Sequence, residues 1–381
     1  MRIACISASR IPSRTANSIQ TMKACQALVE NGHTITLWLP GPAGEVSESE
    51  LRSHYGLRAV PQLVWLPSAK ALRRYDFCVR SVLRARQWKA DLLYVWPLQA
   101  AALGSSMGYP TLVEVHDRPQ GRLGPFLMRR FLVGRGARRL LCTTHALRLW
   151  LEETYGREAI GRLVMWAPNG VDLDQYRGLP DPPIARKRIG LPDRLTAGYT
   201  GHLYPGRGLD LMWELARRHP EVQFLWAGGE PGATERWKKK AAELGVTNLI
   251  LLGFVPNERL PMVQAACEIL LMPYERTIAV SGGGDTSAFA SPMKAFDYLA
   301  SRRAIMASEV AVFREILSPD NALLLPPEDT DSWDRGLQVL LHEPEKRRNL
   351  AERAARDASR FDWRERAQRA LHGLAEDATR N

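Results

Sequence analysis

A lysine stands in the second half of the chain where the start of a helix would favour an acid. Residues 291–303, SPMKAFDYLASRR, predict a helix. Ser291 suits its N-cap, Pro292 its first helical position, and Lys294 lies in its first turn. A cation there faces the positive end of the helix dipole. Because a helix N-terminus also binds anions, the lysine predicts a bound phosphate. A solvated surface lysine is the simpler interpretation of this residue alone.

A glycine-rich stretch supplies a second cation at a helix start. The sequence YTGHLYPGRGLDL, residues 199–211, runs from a predicted strand through a turn into a predicted helix. Its glycines Gly201, Gly206 and Gly208 let the backbone approach a ligand closely, and Arg207 stands at the helix start. One such turn is common between a strand and a helix. Two of them, each with its own cation, predict a diphosphate site.

A carboxylate lies beside the lysine on the same predicted helix face. Asp297 follows Lys294 by three residues, a spacing that places both side chains on one side of a helix. The carboxylate could accept hydrogen bonds from ribose hydroxyls. The alternative is a simple ion pair between the two residues, which stabilises a helix by about 0.2–0.5 kcal/mol.

Strands and helices that alternate along both halves must position these residues. The first half has the strand-like runs RIACISA, TITLWLP, DLLYVW, TLVEV and RLLCTT, and the second half has TAGYTG, VQFLWAGG, NLILLG, EILLMP, AIMAS and ALLLP. Their alternation with helical stretches predicts an α/β protein with two Rossmann-like doubly wound domains that face a central cleft. Ligands in such sheets bind beyond the carboxyl ends of the strands.

Length and local composition suggest how the domains divide. The 381 residues favour two domains rather than one. Residues 181–193, DPPIARKRIGLPD, are rich in proline and charge and predict a linker between domains over 1–180 and 194–360. A strongly charged helical stretch over 361–381 follows.

Several features indicate a cytoplasmic protein. No run approaches the roughly 20 apolar residues of a membrane-spanning helix. The N-terminal apolar run is too short for a secretory signal. The five cysteines are scattered and odd in number, which suits a reducing compartment.

The net charge of +11 belongs to the first half of the chain. Residues 1–180 carry 24 lysines and arginines against 13 acids, whereas the rest carry 28 of each. Residues 118–139 hold seven arginines and no acid, and 72–89 add more among aromatic and leucine residues. A solvated charged face is the default interpretation. An anionic membrane surface is the alternative, which would place the protein peripherally at the inner face of the membrane. Nucleic-acid binding is a third interpretation, but no recognition motif for it is evident.

In their order and spacing, these stretches resemble a family-4 glycosyltransferase of the GT-B fold over nearly the whole chain. SPMKAFDYLASRRAIMAS resembles the family's donor-binding helix, in the subgroup that reads like S-P-L-K-x-F-E-Y-M-A, and GHLYPGRG resembles its pyrophosphate loop. APNGVDLDQY resembles the segment that closes the first domain. LGFVPNERLPMVQAACEILLMPY, with Val255, resembles the turn that meets the base and the elements behind it. RFDWRERAQRAL resembles the terminal helix that crosses back to the first domain.

The resemblance implies an enzyme that moves a sugar from a nucleotide-diphospho-sugar to a glycan or lipid-linked acceptor, with retention of the anomeric configuration. It assigns the pyrophosphate to Arg207 and Lys294 and the ribose to Asp297. The whole donor-binding set is then Gly201, His202, Arg207, Val255, Ser291, Pro292, Lys294 and Asp297.

The resemblance also assigns residues of the first domain, which takes the acceptor in this fold. His116 follows the predicted strand TLVEV, and in the family a histidine there lies beside the transferred sugar. The implied catalytic set is His116, Arg207 and Lys294. Asn17 and Ser18 precede the first helix and join His116 as acceptor-binding residues, although N-capping explains them equally well.

Three positions depart from the family pattern. His202 stands where the family usually has arginine, Asp297 where it has glutamate, and Phe289 where many members have a second glutamate. His202 and Asp297 leave open a member that binds the donor without turnover. The missing acid at Phe289 argues mildly against a nucleotide-sugar epimerase, which would need carboxylates near the sugar. A phosphorylase would need a lysine-bound pyridoxal phosphate, which nothing in the sequence requires.

No metal or cofactor is expected. Asp172 and Asp174 form a D-x-D pattern, a metal signal in other glycosyltransferases, but they lie inside APNGVDLDQY and predict a structural role. No cluster of histidine, cysteine and carboxylate has metal-ligand spacing. The basic pair could neutralise the diphosphate in place of a metal.

Overall fold

The computed structural model describes residues 1–42, 44, 46–278, 285 and 287–374. They form two compact units. The first unit comprises Met1–Asn169 together with the chain from Trp363 onward, and the second unit comprises Gly170–Asp362.

The first unit is a parallel sheet with the strand order β3-β2-β1-β4-β5-β6-β7. Its strands are β1 (Arg2–Ile6), β2 (Thr34–Pro40), β3 (Gln62–Leu66), β4 (Leu92–Val95), β5 (Thr111–Val115), β6 (Ala137–Cys142) and β7 (Val164–Trp166). Its helices are α1 (Ala16–Glu30), α2 (Glu48–Tyr55), α3 (Tyr75–Gln87), α4 (Leu98–Ser106), α5 (Gly124–Leu132), α6 (His145–Tyr155) and α7 (Arg157–Ile160). The strand order reverses at β1, which makes the sheet doubly wound.

The second unit repeats this plan with the strand order β10-β9-β8-β11-β12-β13. Its helices are α8 (Pro182–Ile189), α9 (Leu209–Arg218), α10 (Pro231–Glu243), α11 (Leu260–Ala265), α12 (Met293–Ala300), α13 (Thr330–His342) and α14 (Pro344–Ala358). Its strands are β8 (Thr196–Thr200), β9 (Gln223–Ala227), β10 (Leu249–Gly253), β11 (Ile269–Met272), β12 (Ala304–Ser308) and β13 (Leu323–Leu325). The strands carry few polar residues because helices cover both faces of the sheet.

A last helix, α15 (Trp363–Leu371), returns the chain to the first unit. It packs against α1, and its buried residues Trp363, Ala367, Ala370 and Leu371 join one core with β1 and β2. The rest of the predicted terminal stretch, from residue 375, lies outside the described residues.

The predicted alternation of strands and helices is confirmed, and each predicted strand is present. β3 and β7, which lie at the two edges of the first sheet, were not predicted.

The predicted linker over 181–193 is wrong, because α8 occupies most of it. Pro182 is tolerated at the first helical position, and Gly190 ends the helix in the left-handed conformation. Ala185 is fully buried against α11, so the segment belongs to the second unit. The units divide after Asn169 rather than after residue 180.

Among the described helices, none is both long and apolar enough to cross a bilayer.

Candidate active site

The reversal of strand order in the second sheet places two loops side by side. β8 lies between β9 and β11, and the helices that follow β8 and β11 leave in opposite directions along the sheet. In doubly wound sheets, this switch point at the carboxyl ends of the strands is where ligands bind. The loop after β8 carries Gly201, Gly206 and Arg207, and the stretch after β11 begins with Pro273 and Tyr274.

The Lys294 ammonium lies at this edge in a pocket made by aromatic rings. Its Nζ is 3.7 Å from the centroid of the Tyr199 ring and 5.3 Å from that of Tyr274. The Nζ is buried and makes no hydrogen bond to any residue that the structure describes. Gly201 makes room for it, since a Cβ at this position would approach Nζ to 2.7 Å. The glycine loop and the lysine helix therefore meet at this edge.

The Arg207 guanidinium contacts one of the same two rings. It lies 4.5 Å from the centroid of the Tyr274 ring, so Tyr274 contacts both cations of the predicted pair. Burial lowers the pKa of Lys294 well below its usual value, and the charge of Arg207 lowers it further, against a smaller opposite effect of Asp297. Two neighbouring cations beside π faces form a local excess of positive charge that a bound anion would neutralise.

Close backbone contacts fix the loop after β8. Gly208 has φ +67°, and a Cβ on it would lie 1.9 Å from the carbonyl oxygen of Pro273. Its N–H donates to the carboxylate of Glu275 at 3.2 Å, and the N–H of Glu275 donates to the carbonyl of Gly206. The loops after β8 and β11 are therefore joined directly, which sets the positions of Arg207 and Tyr274.

Asp297 lies one helical turn beyond Lys294 and also interacts with Tyr176. Burial raises the pKa of Tyr176 well above its usual value, and the charge of Asp297 and a hydrogen bond to it add to this effect. Asp297 itself is only half-buried. Its interaction with ribose stays a prediction.

The start of α12 differs from the predicted one. The helix begins at Met293, and Pro292 is its N-cap residue, with an extended backbone at ψ 122° and no capping side chain. Ser291 therefore lies one residue outside the cap, and the prediction that it caps the helix is wrong. Lys294 remains in the first turn of α12, as predicted.

Two further predicted donor residues lie at loops on the same edge of the second sheet. The His202 ring stacks on that of Tyr204, with 4.6 Å between centroids, in the loop after β8. Val255 is half-buried in the loop after β10. The structure gives their locations, and their contacts with a nucleotide stay predictions.

In the first unit, His116 directly follows β5 and is held by a carboxylate two residues earlier. Its Nε2 lies 3.0 Å from Oε1 of Glu114. The Glu114 side chain is 0% exposed, whereas that of His116 is 30% exposed. The histidine ring is thus the accessible end of a buried polar cluster.

Charge pairing keeps Glu114 ionised. Burial opposes the negative charge, but the Arg366 guanidinium and hydrogen bonds from His116 and Tyr94 outweigh burial and lower the pKa of Glu114 to about 2. Arg366 comes from α15 and donates to Oε1 of Glu114 at 2.7 Å. This cluster was not predicted, although an acid inside the apolar run TLVEV was a signal for it.

The two polar residues predicted near the first helix have different environments. Thr15 caps α1, so neither Asn17 nor Ser18 is the cap. Ser18 is fully buried, and its hydroxyl donates to the carbonyls of Ser13 and Thr15 at 2.7 and 2.9 Å. These bonds assign Ser18 to the turn rather than to an acceptor, which corrects its predicted role. Asn17 is exposed, and its contact with an acceptor stays a prediction.

The D-x-D carboxylates do not converge on one point. Asp174 pairs with Arg177 at 2.7 Å, and Asp172 is buried separately. Across the described part of the chain, no group of three or more histidine, cysteine or acidic residues could hold a metal ion.

Sequence reasoning also missed Tyr199 and Tyr274, whose rings hold the two cations. Their positions at or just beyond the carboxyl ends of β8 and β11 were the available signal. Without the strand order, nothing in the sequence shows that these two strands are neighbours.

Two family models match this chain, one in each half. The model of Glycosyltransferase Family 4 matches residues 19–175, and that of Glycosyl transferases group 1 matches residues 183–357. The chain belongs to the family-4 glycosyltransferases. As a glycosyltransferase it is an enzyme, and the assignment favours glycosyl transfer over the epimerase and phosphorylase alternatives.

Two relatives illustrate the range of this family. The chain is 29% identical over 300 residues to the 2-deoxystreptamine glucosyltransferase of Streptomyces kanamyceticus, covering 67% of this chain and 74% of the relative. It is 24% identical over 367 residues to the phosphatidyl-myo-inositol mannosyltransferase of Mycolicibacterium smegmatis, covering 90% and 85% of the two chains.

A solved structure confirms the fold of this glycosyltransferase. Alr3699/HepE of Anabaena, in complex with UDP-glucose, superposes with a TM-score of 0.73 over 99% of this chain and 100% of that one, at 17% identity. At this identity the likeness shows the fold, which is the predicted GT-B fold.

Proposed function

We propose that this glycosyltransferase moves a sugar from a nucleotide-diphospho-sugar to a glycan or lipid-linked acceptor, with retention of the anomeric configuration. The diphosphate binds between the start of α12 and the loop after β8. The name of one relative, a phosphatidyl-myo-inositol mannosyltransferase, supports a lipid acceptor, whereas that of the 2-deoxystreptamine glucosyltransferase supports a small one. A role in cell-surface polysaccharide or glycolipid synthesis fits the lipid-linked acceptor.

One observation carries this proposal. Lys294 has a buried ammonium group beside Arg207, with no hydrogen-bond acceptor among the residues that the structure describes. A buried cation that lacks an anionic partner destabilises the folded protein. Such a group is retained where a ligand supplies the missing charge, and a diphosphate carries enough charge for both cations.

The mechanism follows from where negative charge develops. When the bond between the sugar and the diphosphate breaks, charge accumulates on the leaving oxygen. Lys294 and Arg207 stabilise that charge without prior rearrangement, because the tyrosine rings already hold them. The acceptor hydroxyl then attacks on the face that the diphosphate leaves, and its proton passes to the departing phosphate oxygen. The residues contribute electrostatic stabilisation and orientation.

Calorimetric titration with UDP, GDP, ADP and CDP tests the donor site. The wild type should bind one of these nucleotides selectively, and Lys294→Ala should weaken binding by tenfold or more, about 1.4 kcal/mol or more. Lys240→Ala is the matched control. Lys240 also lies over two aromatic rings of the second unit, Trp213 and Trp237, but it is near the carboxylate of Asp210.

Three outcomes contradict this assignment. The wild type binds none of the four nucleotides, or Lys294→Ala binds as tightly as the wild type, or Lys240→Ala loses as much affinity as Lys294→Ala. The same titrations with and without Mg²⁺ test the proposal that no metal is needed, since the two should then agree. Once a donor is known, the anomeric configuration of the product, read by NMR, tests retention.

The surface of the first unit supports a lipid-linked acceptor. α4 packs against both α3 and α5, so the three helices share one face of the sheet. α5 and its flanks expose Phe126 (57%) and Val133 (72%) beside the exposed Arg129 and Arg130. Apolar side chains among arginines suit the interface of an anionic bilayer.

A cavity opens on the same face. It has a volume of about 670 Å³ and is lined by arginine, glutamine and leucine residues, among them Arg73, Gln99, Arg122 and Leu127. Such a lining fits an acceptor that has both polar and apolar parts. We infer that this surface approaches the membrane and that the cavity receives part of the acceptor.

Vesicle sedimentation tests this surface. The protein should pellet with vesicles of phosphatidylcholine and phosphatidylglycerol and remain in solution with phosphatidylcholine alone. The double variant Phe126→Ser/Val133→Ser should lose most of this binding, while Leu244→Ser, a change at a similarly exposed residue (61%) of the second unit, should keep it. Retention of random duplex DNA without vesicle binding would support the nucleic-acid alternative instead.

A further inference from the structure

We propose that Glu114 and Arg366 are positioning residues, which keep a proton on Nε2 of His116 and so present Nδ1 as a hydrogen-bond acceptor for a sugar hydroxyl. The inference rests on the proposed function only for the contact between His116 and the sugar. The arrangement of the proton depends on the first unit alone.

The hydrogen bond between His116 and Glu114 fixes which ring nitrogen carries the proton. An ionised carboxylate has no proton to donate, so it can only accept. The 3.0 Å contact between Nε2 of His116 and Oε1 of Glu114 therefore requires Nε2 to be the donor. In the neutral imidazole the other nitrogen, Nδ1, then carries a lone pair and accepts. Reversal of the tautomer would turn this acceptor into a donor and change which hydroxyl group the ring can bind.

The Arg366 guanidinium keeps Glu114 ionised. Its carboxylate is fully buried, where an isolated charge is strongly disfavoured. Arg366 supplies the compensating charge from α15, with Nη2 2.7 Å from Oε1 of Glu114. The guanidinium is itself fixed by the backbone, since it donates to the carbonyls of Pro168 at 2.7 Å and Ala167 at 3.0 Å.

Hydrogen bonds to both oxygens fix the orientation of the Glu114 carboxylate. Gln20 donates to Oε1 at 2.6 Å, and the Tyr94 hydroxyl donates to Oε2. Trp96 in turn donates to the amide oxygen of Gln20 at 2.9 Å. With donors on both oxygens, the carboxylate cannot rotate away from His116. The cluster therefore fixes the orientation of the imidazole as well as its proton.

Removal of Arg366 gives a specific expectation. Without the guanidinium, the pKa of the buried Glu114 carboxyl rises and it takes up a proton more readily, because its charge has lost its compensation. A neutral carboxylic acid no longer holds the proton on Nε2 of His116. The tautomer preference should then weaken or reverse, even though His116 itself is unchanged.

The test is ¹⁵N NMR of the full chain labelled at histidine. The signals of His116 are identified by their loss in His116→Gln. The wild type should show the Nε2–H tautomer, and Arg366→Met should shift the population toward Nδ1–H. Arg186→Met is the matched control, because Arg186 is as buried as Arg366 (both 3% exposed) and pairs with Glu268 in the second unit at 2.8 Å. It should leave the His116 signals in place.

Activity supplies the second readout. Glu114→Gln should lower kcat about tenfold or more while the affinity for the nucleoside diphosphate stays within about twofold, since the cations lie in the second unit. Arg366→Lys keeps the positive charge and should retain the Nε2–H tautomer. If Arg366→Met does not fold, two other variants provide the test. They are Arg366→Lys and Glu114→Gln, the second of which removes the carboxylate charge.

Three results would overturn the inference: a wild type with Nδ1–H, equal shifts in Arg366→Met and Arg186→Met, or a Glu114→Gln variant with normal tautomer and kcat. Failure of nucleotide binding in the wild type would instead contradict the proposed function. The two failures are distinguishable, because the NMR measurement uses no nucleotide.

Discussion

At the scale of single residues, the proposed donor site depends on a lysine whose position is unfavourable without a ligand. Lys294 lies in the first turn of α12, its ammonium is buried, and Arg207 is close enough to lower its pKa further. The tyrosine rings offset part of this cost, since cation–π contacts contribute about 0.5–2 kcal/mol. The residue is therefore expected to decrease stability in the absence of nucleotide.

Replacement of the lysine should separate stability from binding. Lys294→Met keeps most of the side-chain volume and removes the buried charge, so we expect the unliganded protein to gain on the order of 1 kcal/mol. Nucleotide binding should be lost. Thermal unfolding with and without nucleotide measures both effects. A lower melting temperature for the unliganded variant would show that the ammonium stabilises the fold.

Nucleotide binding should also be linked to pH through this lysine. Its folded pKa is depressed without ligand, and a bound diphosphate should raise it. Affinity should be constant below the depressed pKa and fall as pH rises above it, and binding in that range should take up a proton. Calorimetry in buffers of different ionisation enthalpy measures the proton. Lys294→Arg, whose guanidinium stays charged, should show neither effect.

Sequence reasoning found the two cations but not the groups that position them. Lys294 and Arg207 were recognisable because helix starts and glycine turns are local patterns. The tyrosine rings and the Glu114–Arg366 pair were not, because each contact joins residues far apart in the chain. Arg366 and Glu114 are separated by 252 positions, and only the packing of α15 brings them together.

At the scale of elements, the hydrophobic pattern predicted the central strands correctly. It did not predict elements whose boundaries depend on their neighbours in the fold. The central strands are buried apolar runs. The edge strands β3 and β7 were missed. The segment before β8 was misinterpreted, since Pro182 suggested a break but stands where a helix tolerates proline.

The connection between the loops after β8 and β11 gives a prediction at this scale. Gly208 and Gly245 have nearly equal φ values, +67° and +65°, but only Gly208 has a close neighbour, the carbonyl oxygen of Pro273. Gly245→Ala should cost about 1 kcal/mol of stability from backbone strain alone. Gly208→Ala should cost more and should weaken nucleotide binding, because the loop must move away from Pro273.

Urea unfolding and nucleotide titration of both variants measure this difference. Equal stability losses in the two variants would mean that the loop adapts freely. Unchanged nucleotide affinity in Gly208→Ala would mean that the loop does not position Arg207.

At the scale of the whole molecule, the two units differ in the number of chain segments that form them. The second unit is continuous from Gly170 to Asp362, whereas the first is assembled from two separate segments. α15 contributes Trp363, Ala367, Ala370 and Leu371 to the core of the first unit and Arg366 to its buried cluster.

A chain that stops after Asp362 should therefore lose one unit and keep the other. Without α15, an apolar face of α1 is exposed and Glu114 has lost its cation, so the first unit should be strongly destabilised. The second unit has its own core and should still bind the nucleotide. Limited proteolysis with and without nucleotide checks this, and a protected first unit in the truncated chain would contradict it.

The position of Arg366 has a consequence for synthesis on the ribosome. Glu114 is synthesised 252 residues before Arg366. Until Arg366 is added, the first unit lacks the positive charge that keeps the Glu114 carboxylate ionised. The second unit can form its core in the meantime, since domains fold as their residues emerge. The histidine proposed to contact the sugar gains its orientation only when residue 366 has left the exit tunnel. On the proposed assignment, incomplete translation products would be able to bind the sugar donor but not to use it.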